Sequence, residues 1–73
     1  QPDDMDARYQ LAAVLLAADD FDAAMNELLA IVRQDRSFRQ DIGRRSLLAL
    51  FDLLGTTHPL SVRYRQALAE SLN

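Results

Sequence analysis

The stretch that decides the fold is Asp19-Asp20-Phe21-Asp22-Ala23-Ala24, which places three acids in four positions in the middle of an apolar sequence. Aspartate tolerates the left-handed backbone conformation that ends many helices, and Asp20 stands where it can cap a following helix. The stretch therefore predicts a tight turn between two helices.

The segment before the turn has the pattern of a helix with apolar residues on both sides. Its start is acidic, as helix N-termini prefer, with Asp3, Asp4 and Asp6. One face carries Tyr9, Ala12, Ala13 and Leu16, and the other carries Leu11, Val14 and Leu15. A helix that is apolar all round requires cover on both sides. Since no hairpin precedes it in this sequence, we expect the second face to be partly exposed or to pair with a second copy, giving a homodimer of the isolated chain.

Three further helices are predicted after the turn. The second runs from Phe21 to about Gln34 with a one-sided apolar stripe, which consists of Phe21, Ala24, Met25, Leu28, Ile31 and Val32. A charged connection over residues 35–40 follows, and a third helix begins near Asp41 and stops at Gly55, a residue favoured just past a helix end. The fourth begins at Pro59, and its core stripe is predicted to be Leu60, Tyr64, Ala67, Leu68 and Ser71.

Length and composition restrict the class of protein. With 73 residues, 49% of them hydrophobic and only two glycines and two prolines, we expect one all-α domain over residues 1–73. Residues 1–4 resemble a linker that leads into a helix, so we expect the chain to be a fragment of a longer protein. No apolar run is long enough to span a membrane, and the formal net charge of −3 disfavours a general nucleic-acid binder. We expect neither a membrane nor a nucleic acid as partner.

Candidate catalytic and metal-binding residues are few and lack the partners that such sites need. The chain has no cysteine, and its single histidine, His58, precedes Pro59 in a position typical of a turn or helix cap. The acids at the N-terminus lack the loop pattern of a calcium site, and no serine lies in a glycine-flanked turn with a second histidine. We therefore expect no enzyme, no metal and no cofactor.

A group of basic residues lies around the predicted connection: Arg33, Arg36, Arg39, Arg44 and Arg45. We interpret them chiefly as a solvated connection. A surface that binds an acidic peptide or a nucleic acid is the alternative, and with it a small helix-turn-helix regulator, which the overall acidity opposes.

The two halves of the chain form an internal repeat with an offset of 36 residues. The matched pairs are Leu11 with Leu47, Leu15 with Phe51, Asp19 with Gly55, Ala24 with Leu60, Leu28 with Tyr64, and Ile31 with Ala67. Each half is therefore predicted to be one helix hairpin.

The first half resembles the tetratricopeptide repeat. Its turn is similar to that family's Gly-Asp-Tyr-x-x-Ala pattern, with Asp19 in the glycine place, Phe21 in the tyrosine place and Ala24 where two helices touch. Arg8 and Arg36 stand where the family commonly has Trp and Pro, and the offset exceeds the usual repeat of about 34 residues. The resemblance implies two hairpins stacked as a four-helix right-handed array.

Over its whole length the chain resembles a narrower group, the C-terminal module of YbbN-type thioredoxin-like proteins. The residues that carry this resemblance lie at 2–12, in the Asp20-Phe21 turn, and at 44–60. These proteins join a thioredoxin-like domain to a tetratricopeptide region and are implicated as bacterial, cytoplasmic co-chaperones. The resemblance implies a non-catalytic module that binds a chaperone, a chaperonin or unfolding clients; the alternative is a structural module for self-association or interdomain docking.

Two candidate protein-binding surfaces follow. Matched to the family's groove, the first consists of Asp6, Tyr9, Ala13, Ile42, Arg45, Ala49 and Asp52. The second lies on the outer face of the last helix and consists of Val62, Arg65 and Ala69, with Leu72 at its margin. Two apolar residues beside an arginine are unusual there, because the outer face of a terminal repeat is normally polar.

Overall fold

The computed structural model describes residues 4–72 as four helices: α1 (Met5–Ala17), α2 (Phe21–Gln34), α3 (Phe38–Leu54) and α4 (Pro59–Ser71). No strand occurs within that range, which confirms the all-α prediction. Residues 1–3 of the predicted linker, with Asp3, lie outside the described residues. The last residue, Asn73, also lies outside them.

The turn between α1 and α2 forms as its sequence predicts. Asp19 follows the end of α1 with φ 60°, in the left-handed region that an aspartate tolerates. The carboxylate of Asp20 caps α2 by accepting a hydrogen bond of 3.3 Å from the backbone N–H of Ala23. At the other end of the first hairpin, Asp4 caps α1 through the N–H of Ala7 at 3.1 Å. The local polar residues therefore set both starts.

The turn between α3 and α4 uses different residues at equivalent places. Gly55, the repeat counterpart of Asp19, adopts φ 99° at the end of α3. His58 is the N-cap of α4, because its Nδ1 accepts from the N–H of Leu60 at 3.1 Å, and Pro59 is the first helical residue. The interpretation of His58 as a capping residue is confirmed.

The start of α3 differs from the prediction. We expected a connection over residues 35–40 and a helix from about Asp41, whereas the helical hydrogen bonding begins at Phe38. Arg39, Gln40 and Asp41 have left-handed backbones, with φ of 45°, 57° and 67°, so the regular right-handed helix begins only at Ile42. L-residues pay roughly 1–2 kcal/mol each for this conformation, which no local sequence rule predicts for three non-glycine residues in a row.

The core forms around α2, which packs against each of the other three helices. Its predicted stripe is buried from Ala24 to Val32, with Leu29 as an additional member, while Phe21 is partly buried. Around it lie the other buried core residues, which are Met5, Ala12, Leu47, Leu50, Phe51, Tyr64 and Leu68. Gly43 allows α3 to approach α2 closely, because a Cβ there would stand 3.1 Å from the backbone oxygen of Leu28.

Several large apolar side chains remain exposed, and two of them bear out an expectation from the sequence. In α1, Leu11 and Val14 are 45% and 64% exposed, and Leu15 is half-buried. Only one side of α1 is therefore well covered within residues 4–72, as expected when no helix packs on the other side. None of the helices in this range is long and apolar enough to cross a membrane.

Candidate protein-binding site

The first candidate surface consists of two stripes, one on α1 and one on α3. The α1 stripe is Asp6, Tyr9 and Ala13, and the α3 stripe is Ile42, Arg45, Ala49 and Asp52. Spacings of three and four residues place the members of each stripe on one side of their helix. Tyr9 and Ile42 are half-buried, and the other five residues are exposed. We call the two stripes together the groove.

Arg39 links the two helices at the N-terminal end of the groove. Its guanidinium donates to the carboxylate of Asp6, with 2.5 Å between Nη2 and Oδ1. The same group lies 5.5 Å from the ring centroid of Tyr9 and 5.4 Å from that of Phe38, within the range of cation–π attraction. One side chain from the start of α3 therefore contacts two residues of the α1 stripe.

Arg45 supports this contact from within α3. Its Nε donates to the carbonyl oxygen of Gln40 at 2.9 Å, and its Nη2 donates to that of Arg39 at 3.3 Å. These carbonyls belong to the left-handed segment, so Arg45 stabilises the conformation that directs Arg39 toward α1. Arg45 is thus a positioning residue of the groove in addition to being exposed in it.

The sequence missed the role of Arg39. We interpreted this residue as part of a solvated connection; its side chain is 55% exposed, but it also bridges α3 to α1. The missing signal was the backbone conformation of residues 39–41. A right-handed helix start would direct the Arg39 side chain elsewhere, and its partner Asp6 lies 33 positions away in the sequence.

The other arginines near the connection also have partners within the chain. Arg33 donates to the hydroxyl of Ser71 at 3.0 Å, and Arg44 pairs with Asp41 at 2.6 Å between Nε and Oδ2. With Arg39 and Arg45 also engaged, four of the five basic side chains have intramolecular partners. The ion pairs of Arg39 and Arg44 with Asp6 and Asp41 reduce the net positive charge of this group, whereas Arg33 and Arg45 donate to neutral acceptors and keep theirs.

The second candidate surface lies on α4, apart from the groove. Val62, Arg65 and Ala69 are all exposed and share one side of the helix. The Arg65 guanidinium reaches back to the carbonyl oxygen of Thr56 at 3.4 Å. Leu72, expected at the margin of this surface, is instead half-buried against the core.

The polar groups of the described residues serve capping and packing. Within residues 4–72, no three His, Cys, Asp or Glu side chains are close enough together to hold a metal ion. Ser71 accepts from Arg33 and donates to the carbonyl of Ala67, whereas Ser61 is fully buried and its hydroxyl has no partner in this range.

Comparison with known protein families decides the classification. The family model described as tetratricopeptide repeat matches residues 1–73. The chain belongs to the tetratricopeptide repeat family. No curated protein and no solved structure shows significant similarity to it. Tetratricopeptide repeats stack hairpins into concave surfaces and typically act as non-catalytic modules for protein–protein interaction. In this tetratricopeptide repeat domain, α1 and α3 are the first helices of the two hairpins, the elements on which the groove lies.

Proposed function

We propose that this domain binds a segment of another protein in the groove between α1 and α3. The observation that carries the proposal is the Arg39 bridge to Asp6 and Tyr9, which holds the N-terminal ends of the two stripes together. Beyond the bridge, Ala13, Ala49 and Asp52 are exposed. Two alanines leave room for a ligand's side chains, and Asp52 supplies a charge that can select them.

The partner class that we propose is a chaperone, a chaperonin or an unfolding client, in a bacterial, cytoplasmic, thioredoxin-like co-chaperone whose C-terminal module is this domain. The support is the resemblance over residues 2–12 and 44–60, together with membership of a family that mediates protein–protein interaction. Sequencing the full-length gene tests the setting: a thioredoxin-like domain upstream supports it, and a run of further hairpins contradicts it.

The groove is tested by placing charges on its small residues. The variant Ala13→Glu with Ala49→Glu changes two exposed helical positions, so its thermal stability should stay close to that of the wild type. Suppression of the aggregation of a thermally unfolding model enzyme, followed by light scattering, should fall several-fold if clients bind in the groove. The matched control is Asn26→Glu with Gln34→Glu, which adds two charges at exposed positions of α2 outside both candidate surfaces. Equal suppression by the wild type and the groove variant would contradict the proposal.

The α4 surface is a second proposed contact with a chaperone partner. Val62→Asp with Arg65→Glu reverses its charge and removes its largest exposed apolar side chain, with little effect expected on helicity. If α4 contacts the chaperone, co-purification through the full-length protein should be lost in this variant. Retained co-purification would leave the groove as the partner's site.

A second candidate function is docking, and the exposed apolar side of α1 favours it. Leu11 and Val14, about one turn apart, present an apolar surface on one face of α1. Such a surface suits self-association or packing against another domain. Sedimentation of the isolated chain over a wide concentration range distinguishes a monomer from a dimer.

A further inference from the structure

The uncovered side of α1 is the repeat equivalent of the side by which α3 packs on α2. The offset of 36 residues matches Ala7, Leu11 and Val14 with Gly43, Leu47 and Leu50. The three α3 residues are buried, and the three α1 residues are exposed. We call Ala7, Leu11 and Val14 the α1 edge. The same structural position is thus covered in the second hairpin and bare in the first.

The covered position shows what kind of element fits. A Cβ on Gly43 would meet Val32 Cγ2 at 3.0 Å, the Leu28 carbonyl oxygen at 3.1 Å and Ile31 Cγ2 at 3.2 Å. The partner of this face in α3 is therefore a helix that presents branched apolar side chains at positions i, i+3 and i+4. Ala7 carries a small Cβ where α3 has Gly43, so a helix of the same kind can pack on α1 at a slightly larger separation than α2 keeps from α3.

The charges around the α1 edge indicate which charge a partner helix should carry. Asp4 and Asp19 are exposed at its two ends, 15 residues apart, which is roughly 22 Å along a helix. Arg8, the only basic residue of α1, is half-buried and donates to Glu27 of α2 at 3.0 Å. The apolar stripe is therefore flanked by acids with no exposed base on its helix, and it complements a helix whose apolar stripe is flanked by bases.

A second copy of the chain fits this surface poorly. If two copies packed by their α1 edges, parallel or antiparallel, the acids Asp4 and Asp19 of one copy would face the same acids of the other. Stacking head to tail would use α4, the repeat equivalent of α2, but Arg65 stands there where α2 has the buried Leu29. In the orientation that α3 takes on α2, Glu70 near the end of α4 would also lie toward Asp4.

We propose that the α1 edge is a docking site for a basic amphipathic helix of a partner protein, held as α2 holds α3. The proposal rests on the docking function and not on the groove, since the α1 edge lies on a different side of α1 from Tyr9 and Ala13. Apolar contact with Leu11 and Val14 supplies the affinity, and Asp4 and Asp19 select the basic helix.

The test uses a synthetic helical peptide as the probe. It carries Leu, Ile and Val at the spacing of Leu28, Ile31 and Val32, with lysines at both ends, and binding to the 73-residue chain is followed by fluorescence anisotropy at physiological salt. Leu11→Ser with Val14→Ser should weaken binding about tenfold or more. The matched control is Leu48→Ser with Leu53→Ser, two leucines of α3 that are 41% and 70% exposed and belong to neither candidate surface, and it should bind as the wild type does.

A second set of measurements tests whether Asp4 and Asp19 select a basic helix. Asp4→Asn with Asp19→Asn keeps a capping side chain and a residue that tolerates the left-handed region, so the fold is preserved while binding should fall several-fold. A peptide with glutamates in place of the lysines should bind much more weakly than the lysine peptide. The groove variant Ala13→Glu with Ala49→Glu should bind the lysine peptide undiminished, which separates this site from the groove.

Three results would overturn the proposal: no binding of the lysine peptide, binding indifferent to Leu11→Ser with Val14→Ser, or equal binding of the two peptides. A wild-type dimer that Leu11→Ser with Val14→Ser dissociates would assign the α1 edge to a second copy instead. Circular dichroism of every variant confirms that a loss of binding is not a loss of fold.

Discussion

The hydroxyl of Tyr64 in α4 donates a hydrogen bond to the carboxylate of Asp22 in the first turn of α2, with 2.6 Å between Oη and Oδ1. Arg63 pairs with the same carboxylate. The contact joins the two hairpins across 42 positions of sequence. The hydrogen bond from Tyr64, followed by that from Arg63, lowers the pKa of Asp22. Burial, followed by the hydrogen bond to Asp22, raises the pKa of Tyr64.

The lowered pKa of Asp22 predicts a contribution to stability that disappears in acid. Because the folded protein binds this proton less tightly than the unfolded chain, the contribution is complete above the ordinary aspartate pKa of about 4 and is lost as pH falls through the lower folded value. The urea midpoint of the wild type should exceed that of Asp22→Asn at pH 7, and the two should converge in acid. A difference that stays constant from pH 7 to pH 2 would contradict this.

The raised pKa of Tyr64 predicts a contribution to stability that disappears in alkali. The contribution of Tyr64 is complete below the ordinary tyrosine pKa of about 10 and is lost as pH rises through the higher folded value. Tyr64→Phe should be less stable than the wild type at pH 7 and should lose less stability between pH 9 and pH 12. Tyr9 is present in both proteins, so its titration does not affect the comparison. If the wild type and Tyr64→Phe lost the same stability between pH 9 and pH 12, the ionisation of Tyr64 would not be coupled to folding.

Ala24→Glu should destabilise the fold severely. Ala24 is fully buried in α2, where a new carboxylate would have no partner and would cost several kcal/mol. The matched control is Ala49→Glu, the same substitution at an exposed helical position of α3. Thermal unfolding followed by circular dichroism should show a large loss for the first variant and little change for the second. An unchanged melting temperature for Ala24→Glu would refute the packing assigned to α2.

Gly43→Val should cost about 1–3 kcal/mol through overpacking, because even a Cβ at this position meets Leu28, Ile31 and Val32 at 3.0–3.2 Å. Ala49→Val, in the same helix but exposed, measures the small cost of a β-branched residue alone. Chemical denaturation of the two variants isolates the steric part. A Gly43→Val protein as stable as its control would mean that α3 does not approach α2 so closely.

Ser61→Ala should stabilise the protein by about 1 kcal/mol or more. The hydroxyl of Ser61 is fully buried and has no partner among residues 4–72, and a buried unsatisfied hydroxyl costs about 1–3 kcal/mol. Ser71→Ala is the informative counterpart, since it removes hydrogen bonds to Arg33 and Ala67 and should not stabilise. A rise in the unfolding free energy only for Ser61→Ala would confirm the difference between the two hydroxyls.

Local signals in the sequence were sufficient for the helices, the turns and most of the core. Asp20 and Pro59 mark helix starts. Asp19 and Gly55 have positive φ, which an aspartate tolerates and which a glycine adopts readily because it has no Cβ. The apolar spacing of α2 identified its buried face, because one helix face must be covered for so small a domain to fold. The 36-residue offset placed the two hairpins in correspondence, and the family match agrees with the fold that this offset predicts.

What the sequence by itself determined is therefore the order of helices, their ends except the start of α3, and the buried side of α2, since these follow from patterns within a few residues. Only the tertiary structure decided the left-handed start of α3, the Arg39 contact with Asp6 and the burial of Ser61. Each depends on how helices from distant parts of the chain meet. A conformation that is costly for Arg39, Gln40 and Asp41 alone is stabilised in part by local hydrogen bonds from Arg45 and in part by the ion pair of Arg39 with Asp6, which requires α1 to lie beside the start of α3.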